Sequence, residues 1–212
     1  PVRLLEGMSG GDIDFAAMPT TMAGVLKREG FAIAAVMVWG GLYVCGTDTS
    51  VRRVSDLKGR TVHVMAGNTP PEMMLRHLVP ADVRFDTSFP THSALAQAAQ
   101  EGKCGFCVLS EPFVSTVLSS NGSMKALVDI SEEWRKAEGV RPPVTSVFCR
   151  ETLLDNDREA VSEFTEQLRI SCEWARSRPD DTADIVAELG LFADRLAVRD
   201  SIERTVFEVV KA

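Results

Sequence analysis

A few short turns in this chain carry residue types suited to holding a small molecule. In Gly67-Asn68-Thr69-Pro70-Pro71-Glu72, Thr69 and Glu72 have capping-box spacing, and Pro70 suits a first helical position, where no N–H is required. A helix start of this kind offers free N–H groups and the positive end of the helix dipole to an anion or a carbonyl-rich ligand. The same residues equally describe a well-made cap that binds nothing. Pro19-Thr20-Thr21 is a similar turn, with two hydroxyls beside a second helix start, and ordinary capping again explains it as well. Trp39-Gly40-Gly41 interrupts an apolar run. Glycines there let the backbone bend or approach a ligand, and Trp39 can stack on a flat one; a core tryptophan beside a turn fits equally. Tyr43, the sole tyrosine, is a weaker candidate. Glu111, in Ser110-Glu111-Pro112-Phe113, can accept hydrogen bonds from an amine or aminopyrimidine, or latch two lobes together. It is a poor direct contact for an anion.

Catalytic machinery is not expected. His63, His77 and His92 are scattered, with no H-E-x-x-H pattern and no carboxylate cluster beside them. P-loop and dinucleotide glycine patterns are absent, and no assembly of nucleophile, base and oxyanion hole is expected. No metal or cofactor is expected. Of the 5 cysteines, Cys104 and Cys107 have C-x-x-C spacing. In one strand they would point to opposite faces, so buried, apolar thiols are the favoured reading.

The elements that must position these turns alternate between strand and helix. Apolar runs over 13–18, 31–38, 42–46, 61–65, 83–85, 104–109 and 125–130 read as strands. Helices are expected over 20–29, 70–78, 93–101 and 112–119 between them, an α/β pattern with largely parallel sheets. Arg141-Pro142-Pro143 is the best linker signal, and 145–149 reads as a strand returning to the first lobe. Thereafter the pattern is helical: 160–177, a break at Pro179, then 183–189 and 198–210. A chain that leaves one lobe, builds a second and returns gives lobes at 1–45 with 143–212, and at 46–142. Such lobes favour hinge closure on a ligand at the carboxyl ends of strands.

The 212 residues carry a net charge of −7, with 45% hydrophobic and 25% charged residues. That is ordinary globular composition, able to bury about 70% of the unfolded surface without a staple. No basic stripe suggests nucleic acid, and no run approaches the ~20 apolar residues that span a bilayer.

The segments GDIDFAAMP, VSDLKGRTVHVMAGNT, EGKCGFCVLSEPF and EWARSRPDDTADIVAELG, in this order, resemble the periplasmic substrate-binding proteins of ABC transporters. They are most similar to the group serving nitrate, sulfonates such as taurine, and thiamine pyrimidine precursors. The resemblance implies a bilobed type II binding-protein fold, with two parallel-rich sheets flanked by helices and two crossings. It places Thr20, Thr21, Gly67, Asn68, Thr69 and Glu111 at an interlobe cleft, and Thr145 near the hinge. It implies a periplasmic or extracytoplasmic location and a membrane permease as partner. Family members usually carry a further strand, helix and strand before the GDID segment, whereas this sequence begins at Pro1 inside what looks like the preceding helix. An exposed sheet edge, and pairing or dimerisation through it, is therefore expected. Two other classes share the fold: a ligand-sensing domain of a regulatory protein, and a thiamine-pyrimidine biosynthetic enzyme, to which KCGFC bears a faint similarity.

Overall fold

The computed structural model describes residues 2–67 and 69–212. In chain order the elements are α1 (Val2–Gly10), β1 (Phe15–Pro19), α2 (Ala23–Arg28), β2 (Phe31–Val38), β3 (Leu42–Gly46), β4 (Thr61–Met65), α3 (Pro70–Leu78) and β5 (Arg84–Phe89). There follow α4 (His92–Gln100), β6 (Phe106–Ser110), α5 (Phe113–Ser120), β7 (Lys125–Asp129), α6 (Ile130–Glu138) and β8 (Thr145–Arg150). The chain closes with α7 (Glu151–Asn156), α8 (Arg158–Ser177), α9 (Pro179–Glu188), α10 (Arg195–Arg204) and β9 (Phe207–Lys211). Short 3₁₀ turns occupy Thr20–Met22 and Val54–Leu57.

These elements divide into two compact units. Unit 1 comprises Pro1–Trp39, Pro143–Ser177 and Val206–Ala212; unit 2 comprises Gly40–Pro142 and Arg178–Thr205. This division differs from the expected lobes at 40–45 and 178–205, which belong to unit 2. Residues 40–45 move because β3 pairs with β6 and β7 along its whole length. Residues 178–205 move because α10 packs on α9 and α5.

Unit 1 holds a four-stranded sheet in the order β1-β8-β2-β9. Met8, Met18, Leu26, Phe31 and Phe148 fill one buried cluster, and Ala34, Cys149 and Val161 fill another. Phe15 stacks on Phe164 at 3.9 Å between ring centroids, tying the sheet to the 20-residue helix α8. Unit 2 holds a five-stranded sheet in the order β5-β4-β6-β3-β7. Its central strand β6 is apolar on both faces from Phe106 to Leu109, as expected for a strand covered on both sides. The outer strand β5 instead exposes Arg84, Thr87 and Ser88 to solvent. Leu95, Ala99, Val114, Val117 and Met124 pack α4 and α5 against this sheet, with Cys45 and Cys107 among them.

The α/β class with two helix-flanked sheets is as expected, but strand direction is more mixed than parallel-rich. Parallel pairing joins β4 to β5 and to β6. The pairs β1–β8, β2–β8, β2–β9, β3–β6 and β3–β7 are antiparallel. The cause is where each strand enters. β8 starts at Thr145 opposite Pro19 and Val38, where β1 and β2 finish, so it runs against both. β3 likewise starts at Leu42 opposite Ser110, where β6 finishes.

Three further expectations are corrected. The helix expected over 198–210 ends at Arg204, and Phe207–Lys211 forms strand β9 on β2. The reason is the alternation Phe207-Glu208-Val209, with the apolar members half-buried and Glu208 exposed, a period-2 pattern suited to a strand rather than a helix. The capping box at Thr69 does not form: Thr69 makes no side-chain cap bond, and Glu72 is buried and paired with Arg76 at 2.9 Å. Cys104 lies just before β6 rather than in it. All five cysteines are free and buried.

Candidate functional site

In unit 1, four of the residues singled out above gather at one end of the sheet. Pro19 ends β1 opposite Thr145, and Thr145 also faces Val38 at the end of β2. The Thr20 N–H donates to the Val144 carbonyl at 3.1 Å, and the Val144 N–H donates to the Val38 carbonyl at 2.8 Å. Trp39 follows directly; its main-chain N–H donates to Val206 at 2.9 Å and its indole N–H to the Glu208 carbonyl at 2.7 Å. The Thr20 hydroxyl meets the fully buried Ser146 hydroxyl at 2.7 Å. Thr21 is exposed beside them. The helix expected at 20–29 thus begins as a 3₁₀ turn, and α2 itself has only 6 residues. This end of unit 1 is tied by main-chain groups, a hydroxyl pair and the indole N–H. It offers hydroxyls, a partly covered indole ring and strand-end carbonyls.

Unit 2 is built differently. Adjacent parallel strands β5, β4 and β6 finish at the same edge, and each leads into a helix that starts there, namely α4, α3 and α5. Gly67 and Thr69 lie in the turn from β4 to α3, where Pro70 and Pro71 occupy the first helical positions. Gly67 has φ +105°, a left-handed conformation that favours glycine, and a side chain there would meet open space. Asn68 lies outside the described residues. At the start of α4, the Thr91 hydroxyl accepts from the Ala94 N–H at 3.1 Å. The His92 ring stacks on Phe113 at 5.8 Å, and Phe113 in turn meets Phe192 edge-on at 5.5 Å. Burial lowers the His92 pKa, so the ring is neutral near pH 7, and its buried Nδ1 has no hydrogen-bond partner among the described residues.

Glu111 ends the β6 turn, and its side chain is 4% exposed. One carboxylate oxygen accepts the Ser115 N–H at 3.0 Å, capping α5, and the other accepts the Ser115 hydroxyl at 3.0 Å. The Arg204 guanidinium reaches the same group from the end of α10. Its Nη1 donates to the Ser115 Oγ at 2.7 Å and lies 3.8 Å from Glu111 Oε1. Burial raises the Glu111 pKa, opposed by the Ser115 bonds and Arg204. The Tyr43 hydroxyl donates to the Arg204 carbonyl at 3.2 Å; burial, with Asp129 and Glu111 adding to it, pushes that phenol up to about 12. Gly40 and Gly41 enter β3 at this point. Gly41 has φ +81°, its carbonyl accepts the Glu111 N–H at 2.8 Å, and an added Cβ would sit 3.0 Å from the Thr205 hydroxyl. Close backbone approach is therefore what this glycine permits.

The structure thus brings Pro19, Thr20, Trp39 and Thr145 together in unit 1. In unit 2 it brings Gly41, which follows Gly40, against Glu111 and sets Gly67 and Thr69 at the same sheet edge. Sequence reasoning missed Arg204, Ser115, His92 and Phe113. Ser115 had a local signal, because it stands four residues after Glu111 at a helix start. Arg204 had none, since 89 residues separate it from Ser115. The other histidines have separate partners: His63 Nδ1 lies 3.2 Å from Asp86, and His77 Nε2 lies 2.7 Å from Glu138. No helix of the described residues is long and apolar enough to cross a membrane.

No protein-family model matches the chain, and no curated protein matches it. Solved structures do. An ABC transporter from Parabacteroides distasonis superposes with a TM-score of 0.83 over 100% of this chain and 73% of its own, at 24% identity. The periplasmic aliphatic sulphonate-binding protein SsuA from Escherichia coli gives 0.76 over 99% of this chain and 69% of its own, at 15% identity. The periplasmic nitrate-binding protein NrtA from Synechocystis gives 0.58 over 86% and 54%, at 14% identity. At such identities the likeness concerns architecture: the chain has the α/β fold found in periplasmic binding proteins of ABC transporters.

Proposed function

We propose that this protein is a solute-binding protein that captures a small anionic or heterocyclic molecule outside the cytoplasm and presents it to the membrane permease of an ABC importer. The observation that carries this reading is the edge of unit 2 where β5, β4 and β6 all end at helix starts, in a fold shared with sulphonate- and nitrate-binding proteins. Ligands of open α/β sheets sit at such carboxyl edges. Each unit carries its own candidate contacts: Pro19, Thr20, Thr21, Trp39 and Thr145 in unit 1, and Gly40, Gly67, Asn68, Thr69 and Glu111 in unit 2. No bond is made or broken in this reading. The work is a difference in ligand affinity between two states of the protein. Sulfonates, nitrate, thiamine pyrimidines and small aromatic acids are the candidate solutes, the first three being those of the group the sequence resembles.

A thermal-shift panel of taurine, alkyl and aryl sulfonates, nitrate, thiamine pyrimidines and aromatic acids tests it. A ligand at 100 times its Kd adds about 2.7 kcal/mol, roughly 5–10 °C for a chain of this size. A saturable shift with one class supports the reading; silence across the panel removes it. Dimerisation through the first lobe is a separate proposal. Light scattering decides it, because a mass of 23.1 kDa is that of the single chain.

A further inference from the structure

Arg204 is held at both ends. Its main-chain carbonyl accepts the Tyr43 hydroxyl at 3.2 Å, and its Nη1 donates to the Ser115 Oγ at 2.7 Å and to the Asp200 carbonyl at 3.4 Å. Ser115 is 2% exposed and is fixed in turn by both oxygens of the buried Glu111. These bonds occupy only one side of the guanidinium. Nε and Nη2, the two nitrogens whose N–H groups point the same way, have no partner among the described residues, and the side chain is 34% exposed. That open pair matches two oxygens of a carboxylate, sulfonate, nitrate or phosphate, the fork geometry that makes arginine the preferred reader of planar oxyanions. Glu111 and Asp200 are the acidic groups nearby, and Glu111 lies on the Nη1 side, 3.8 Å from that nitrogen. They temper the net charge and leave the directional donors of the open edge in place.

We propose that Arg204 reads the oxyanion of the bound solute through its Nε/Nη2 edge, with Ser115 and Glu111 as positioning residues that hold the opposite side of the guanidinium. This rests on the solute-binding reading above and deepens it to a ligand class, a small molecule with a terminal oxyanion.

The test is calorimetric titration of the intact chain with matched pairs: 1-pentanesulfonate against pentanesulfonamide, and benzoate against benzamide, with nitrate and inorganic phosphate as bare oxyanions. The proteins are the wild type, Arg204→Gln, Arg204→Lys and Ser115→Ala. The expected result is that an oxyanion binds while its neutral partner does not. Arg204→Gln weakens the oxyanion at least tenfold without changing the unliganded Tm by more than a few degrees. Arg204→Lys restores part of the loss, and Ser115→Ala falls between wild type and Arg204→Gln. Which oxyanion binds distinguishes sulfonate, carboxylate, nitrate and phosphate sources. Equal binding of the neutral partner, or an Arg204→Gln protein with wild-type affinity, overturns the assignment and leaves solute binding standing. Silence from every oxyanion and every neutral probe overturns both.

Discussion

The strand ends of the two units solve the same packing problem with opposite chemistry. In unit 1, Pro19, Thr20, Trp39 and Thr145 are tied by main-chain bonds and one hydroxyl pair, with no charged side chain in the network. In unit 2, a buried carboxylate caps a helix, approaches an arginine and holds a serine to which that arginine donates across 89 residues. The difference shows where each end draws its order. Main-chain bonds at a strand end come with the sheet itself. A buried carboxylate has to be surrounded, because an unpaired buried charge costs several kcal/mol. Unit 2 is therefore where one substitution should do most damage and where selectivity for charge can be stored.

The most severe test of this contrast is Glu111→Ala. It leaves the Ser115 N–H and hydroxyl without their acceptor and removes the carboxylate beside Arg204, and a loss of about 2–3 kcal/mol is expected, read as roughly 5–10 °C in Tm. A drop under 2 °C would mean the carboxylate is not what organises this end. Next comes Gly41→Ala, which places a Cβ at φ +81° and 3.0 Å from Thr205 Oγ1. The expected cost is about 1–2 kcal/mol, measurable by urea unfolding with an unchanged m-value. In unit 1, Thr20→Val strips the buried Ser146 hydroxyl of its partner, and a cost of about 1 kcal/mol is expected; an effect as large as that of Glu111→Ala would erase the contrast.

The smallest effect concerns pH. Burial depresses the His92 pKa in the folded chain below its unfolded value of about 6.5. Its contribution is thus fully present above that value, and stability falls as pH drops below it, because the unfolded chain then binds the proton more readily. His92→Gln should flatten the pH dependence of Tm between about pH 7 and 5. An unchanged slope would assign that dependence to other groups.

Much of the molecule is legible locally. Phe31–Val38, Leu42–Gly46, Thr61–Met65 and Pro70–Leu78 fall where apolar runs, glycine stops and Pro70 place them, since each is fixed by neighbours in sequence. The turn glycines are also readable, because a chain reversal there requires φ > 0. The capping box at Thr69 misled for a physical reason. Glu72 has the right spacing, but burial beside Arg76 engages it elsewhere. The final segment misled because Val198 through Val210 suits a helix by composition, while the free edge of β2 claims Phe207–Lys211 as a strand.

What the sequence alone determined, then, is the α/β alternation, the turns at strand ends, and hydroxyls, indole and carboxylate as the groups worth watching. Those signals are short-range, carried by residues within a few positions of one another. Tertiary structure decided strand direction, the assignment of 40–45 and 178–205 to unit 2, and the partnership of Glu111 and Ser115 with Arg204. Such choices depend on which distant segment can bury a polar group in company, and pairing across 89 residues leaves no local pattern to read.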